Sequence, residues 1–232
     1  IVFTLVTLFG TGLNEAVVNT LYIKQLGWSD IDFTTVSGLY TLGLVLAGAF
    51  IGGFCADRFG RRLVLLAGFG GFSVVAIVFA LCPHLWGERW FTTSYVLSYE
   101  TLSAIGSVGF LSMAMRISWS TGAATVFTVY MTLSNVSHVT GNWLAGPVRS
   151  ATSDYALSTG LVGAEAELFS YQLTIGFAGL ITLPALLLLL RVSTAEVDAA
   201  EAEQSGSQAS TSRDEAVGSF DEHDDDGISS FE

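Results

Sequence analysis

Of 232 residues, 51% are hydrophobic and 13% charged, with a mean hydropathy of +0.57. That balance excludes an ordinary water-soluble domain and places the chain in a bilayer. The formal charge of −12 is uneven: residues 1–191 hold eight Lys or Arg against nine Asp or Glu, whereas residues 192–232 hold one Arg and twelve acids, so the acidity belongs to the end of the chain and no basic nucleic-acid surface exists.

Crossing a hydrocarbon core of about 30 Å takes roughly 20 helical residues, and six apolar windows of that order can be marked: Val2–Ile23, Thr34–Cys55, Leu63–Cys82, Thr92–Met113, Ala123–Val148 and Leu168–Leu190. They are about twice the length of barrel strands and lack sustained alternation, so helices are expected. The first window has no basic leader and carries Asn14 and Glu15 centrally, which argues against a cleaved signal. The chain opens on Ile rather than Met, and a piece of something longer is expected. Glu15 has Thr11 and Asn19 four residues to either side, on its helical face.

Window two contains Gly43, Gly48 and Gly52, and window three Gly68, Gly70 and Gly71, spacings that let helices approach closely. Window four carries Glu100, followed by Ser103 and Ser107 on a similar face. Window five has the densest polar stripe, Thr128, Asn135, His138 and Asn142, with Tyr130 and Trp143 nearby. Ionisable groups at mid-depth are costly and are functional candidates by default. Glu15, Asn19, Glu100, Asn135, His138 and Asn142 are therefore the expected substrate or proton pathway, with interhelical hydrogen bonding as the structural alternative. A desolvated carboxylate suits proton loading near neutral pH, and His titrates near 6.5 when unperturbed.

Basic residues set the orientation. Arg58, Arg61, Arg62, Arg116 and Arg191 fall on one side, and only Lys24, Arg89 and Arg149 on the other, so both ends of the segment are expected in the cytoplasm, with the plasma membrane as the location. Cys55 and Cys82 then lie at opposite faces, where no disulfide can join them. Residues 192–232, rich in Glu, Asp, Ser, Ala and Gly, cannot bury enough surface to fold and are expected as a disordered acidic tail or linker.

Between windows two and three stands GGFCADRFGRR, in which Gly53, Asp57, Arg58, Gly60, Arg61 and Arg62 form G-x-x-x-D-R-x-G-R-R. A topogenic loop needs the arginines but neither the acid nor the glycines. Gly53 and Gly60 permit close approach or positive φ, and an acid at the membrane boundary calls for a cation, with Arg58 and Arg116 as candidates. The pattern resembles the loop signature of the major facilitator superfamily of secondary transporters. Topologically the likeness spans residues 1–191; the motif spans ten residues. It implies an all-α membrane protein in which residues 1–191 are a six-helix bundle, one half of a carrier. A second half is expected in the same longer chain or in another subunit. By resemblance Asp57 is the acid of a cytoplasmic latch and Arg58, Arg61 and Arg62 its supporting charges. SYETLSAIGSVGF and TVYMTLSNVSHVTGN are similar, more weakly, to the muropeptide permease and acetyl-coenzyme A transporter group, which favours the C-terminal half.

No Walker A run, zinc-ligand spacing or GxSxG elbow is present, so no enzyme, metal or cofactor is expected. The expectation is a carrier of a small polar solute in the lipid bilayer, working by alternating access, with the proton as coupling ion. The competing class is a non-transporting half-size membrane assembly, sensor or scaffold that recruits partners through the acidic tail.

Overall fold

The structure, a computed structural model, describes residues 2–117 and 123–191, and every element among them is helical. α1 (Val2–Lys24) leads through a short turn to α2 (Asp30–Thr34), which Ser29 caps by accepting the Asp32 amide at 3.0 Å. Asp30 and Asp32 favour that same positive helix end. A π-helical stretch, Thr35–Tyr40, runs straight into α3 (Thr41–Phe59), giving one continuous helix from Asp30 to Phe59. α4 (Arg61–Leu81), α5 (Arg89–Ile117), α6 (Ala123–Ser158) and α7 (Ala164–Arg191) follow.

Three of these helical stretches, Asp30–Phe59, Arg61–Leu81 and Ala164–Pro184, are long and apolar enough to cross a membrane. They correspond to the second, third and sixth expected windows. α1, α5 and α6 occupy the other three and contain the polar candidates: Asn14 and Glu15, Glu100, and the stripe from Asn135 to Asn142. The expected tail lies outside the described residues.

Backbone contact through glycine organises the packing. α1 lies along α6, where a side chain on Gly12 would strike the His138 carbonyl and one on Gly141 the Phe9 carbonyl. α5 receives α3 at Gly48 and Gly52 and α4 at Gly68, Gly71 and Gly109. α7 reaches α1 at Gly10 and α4 at Gly179. Glycine at these crossings lets the helix axes approach closely enough for backbone and side chains of neighbouring helices to meet.

An aromatic cluster closes one end. Phe79 stacks on Tyr95 at 3.8 Å and on Trp86 at 5.0 Å, and the Trp86 indole donates to the Phe79 carbonyl at 2.9 Å. Tyr22, fully buried, packs on Trp28 and Phe33 and donates its hydroxyl to the Thr92 carbonyl at 2.7 Å. Exposed apolar side chains run along α3, among them Leu42, Leu46, Phe50, Ile51, Phe54 and Phe59.

Candidate functional site

The motif between α3 and α4 is a one-residue joint. Gly60 has φ +94°, accessible to glycine at little cost, and lies directly between Phe59 and Arg61. Its amide reaches the Ala56 carbonyl at 3.1 Å, and its own carbonyl accepts the Leu63 amide at 3.2 Å. Two expectations need correction here. Gly53 sits inside α3 with nothing near the place of a Cβ, so it makes no close approach; the neighbouring Gly52 faces α5, at ordinary van der Waals distance from Ile105. Nor does Asp57 pair with Arg58: both are exposed at the end of α3, and Asp57 has no ion-pair partner among the described residues. Arg61 and Arg62 are half-buried at the start of α4, and the side chain of Arg116 lies outside the described residues.

At mid-helix the structure brings two distant candidates together. His138 Nε2 of α6 stands 3.1 Å from Glu15 Oε2 of α1. The crossing at Gly12 and Gly141 makes this possible, because helix axes without Cβ atoms between them come close enough for short side chains to meet. The side chains remain 54% (Glu15) and 35% (His138) exposed, so the pair stands at a surface of the bundle rather than in its core. His138 also lines a cavity of about 280 Å³ between α1, α5 and α6, together with Asn135, Ser134, Ser107, Leu8 and Phe110. Glu100 of α5 is half-buried, next in sequence to the buried Tyr99.

Other members of the expected pathway are less closely joined. Asn19 is exposed one turn from Glu15, and Asn142 is half-buried one turn from His138. Thr11 turns away: it is buried and donates to the Leu8 carbonyl of its own helix at 2.9 Å. Thr128 likewise bonds back to Ala124, and Ser107 to Ser103.

Sequence reasoning passed over Asn14 and Tyr95. Asn14 is fully buried, and its side-chain oxygen accepts the Tyr95 hydroxyl at 2.7 Å, tying α1 to α5 beside Glu15. The signal was available in the Asn-Glu pair at the centre of an apolar window, of which only the acid drew attention. A second polar tie sits towards the ends of α1, α6 and α7, where Glu167 takes Gln25 at 2.7 Å and Arg149 at 2.9 Å. The Arg149 guanidinium lies 3.8 Å over the Tyr171 ring. Nearby, Arg89 pairs with Asp32 at 3.1 Å and stacks over Trp28.

Among the described residues no three His, Cys, Asp or Glu side chains converge as metal ligands do. Comparison of the chain with protein-family models, with curated proteins and with solved structures returned no match.

Proposed function

We propose that residues 1–191 are a six-span half of a secondary transporter of the facilitator type, moving a small polar solute by alternating access with proton coupling. The observation that carries this reading is the Glu15–His138 pair, an acid and a base held face to face at mid-helix on α1 and α6 beside a cavity. Such a pair is costly to keep in a membrane unless transport or proton movement uses it.

The order of helix contacts lends support. Counting α2–α3 as one span, the first span packs on the fifth and the second on the fourth. Relating the first three spans to the last three in order turns one of these pairings into the other, as an internal inverted repeat does. The third–fourth pairing and the first–sixth contact at Gly10 are related in the same way. Charge placement agrees with both segment ends in the cytoplasm, since two of the three cations on the opposite side, Arg89 and Arg149, are engaged by acids. In this reading Asp57, exposed beside the Gly60 joint, meets the cytoplasmic face of a second six-helix half.

The test is solute-driven proton flux. The full-length protein is reconstituted in vesicles containing a pH-sensitive dye, and a panel of small solutes is added outside. A coupled carrier acidifies or alkalinises the lumen with at least one solute, and Glu15→Gln removes the pH signal while the vesicles stay tight. Uptake that is indifferent to a collapsed proton gradient, and equally to Glu15→Gln and Glu100→Gln, rules proton coupling out.

A further inference from the structure

Resting on the transporter reading of the same cavity, we infer that its solute is a small organic cation, an ammonium or amidinium-type group on a compact apolar body, whose positive end replaces His138 at Glu15.

The charge inventory is one-sided. Between the ends of the expected windows stand two acids, Glu15 and Glu100, and one histidine; every Lys and Arg of residues 1–191 falls outside those windows. On α1 the nearest cation along the chain is Lys24, nine residues beyond Glu15 and so about 14 Å along the axis; on α6 it is Arg149, eleven residues beyond His138 and about 16 Å away. Of these groups only His138 lines the cavity, with Glu15 3.1 Å from its Nε2, so a carboxylate solute entering here has His138 alone to receive it and an acid competing for the same ring. A cation meets an acid whose partner is a titratable ring able to step aside without leaving a permanent charge unpaired.

The walls specify the rest of the molecule. Leu8 and Phe110 give apolar surface, while Asn135 and Ser107 offer neutral hydrogen-bonding groups that fit either sign of charge. A volume of about 280 Å³ is at the small end of ligand cavities, which begin near ~300 Å³. Glu15 remains open to an incoming group because about half its side chain is exposed, even while His138 holds one oxygen.

Three probes of one size and different charge separate the possibilities: phenethylammonium, phenylacetate and 2-phenylethanol, each titrated by calorimetry into the purified full-length protein in detergent. Phenethylammonium is expected to bind about tenfold or more tightly than the other two, since a charge-assisted hydrogen bond separates them. Glu15→Gln is expected to abolish that preference, and His138→Gln to retain it. Equal binding of the three, preference for phenylacetate, no binding by phenethylammonium, or an undiminished preference in Glu15→Gln each overturns the inference. Parallel uptake by vesicles keeps the two readings apart. Binding of phenethylammonium without any solute uptake leaves the cation site standing and removes the transporter; uptake of phenylacetate with phenethylammonium excluded does the reverse.

Discussion

Asn14 has no exposed surface, and its amide oxygen receives the Tyr95 hydroxyl at 2.7 Å across the α1–α5 contact. Removing one partner of a buried hydrogen bond leaves the other desolvated and unpaired, which costs about 1–3 kcal/mol. Tyr95→Phe is therefore expected to lower the thermal unfolding midpoint in detergent, whereas Tyr155→Phe, at an exposed ring, leaves it unchanged; equal midpoints for the two would remove the role given to Asn14. The candidate site was legible at this scale as a list of residue types but not as an arrangement. Glu15 and His138 stand out because ionisable groups are rare in apolar windows. Their pairing depends on the depth at which α1 crosses α6, and helical periodicity within one helix carries no information about that. Thr11 shows the same limit from the other side: its spacing from Glu15 suggested a shared face, yet its hydroxyl is satisfied by its own helix.

Elements were far easier to anticipate than contacts. Each expected window coincides with a helix, and all but α4, which stops at Leu81, run past the end of their window. α6 extends furthest, to Ser158, carrying Pro147 inside it. The π-helical stretch before α3 was not foreseen, since nothing in TVSGLY distinguishes it from α-helix by pattern. Glycine counts gave the idea of close packing but not which glycines do it. A Cβ on Gly141 meets the backbone of α1, whereas one on Gly43 meets nothing within 4 Å. Gly141→Ala is thus expected to destabilise the bundle by about 1–3 kcal/mol through overpacking. Gly43→Ala is expected to be neutral or to stabilise by about 0.5–1 kcal/mol through helix propensity. Denaturant titration of both variants decides it, and a neutral Gly141→Ala would mean that the α1–α6 crossing is looser than described.

For the molecule as a whole, the proposed orientation can be read from its two cysteines. Cys55 lies near the Gly60 end of α3 and Cys82 at the far end of α4, both partly accessible. In intact cells, a membrane-impermeant maleimide is expected to label the Cys55→Ser variant, through Cys82, and to label Cys82→Ser only after permeabilisation. The opposite pattern would invert the topology, and labelling of both in intact cells would remove the membrane-spanning assignment of α3 and α4. The orientation expected from the sequence rests on the number of basic residues on each side, a property independent of packing. The sequence said little about the Arg149–Glu167–Gln25 tie, whose members come from α6, α7 and the turn after α1.

A connection of one residue has a kinematic consequence. Longer loops contain slack, so two helices they join can tilt independently; Gly60 offers a single pair of backbone torsions between Phe59 and Arg61. Any change of pitch in α3 must appear at once as a displacement of the first turn of α4, where Arg61 and Arg62 stand. Because both helices also rest on α5, the helix that carries Glu100, the three form a linkage with little free play. A displacement of the Gly60 joint is thereby passed through α3 and α4 to α5, so the position of Glu100 is tied to that of a turn at the far end of another helix.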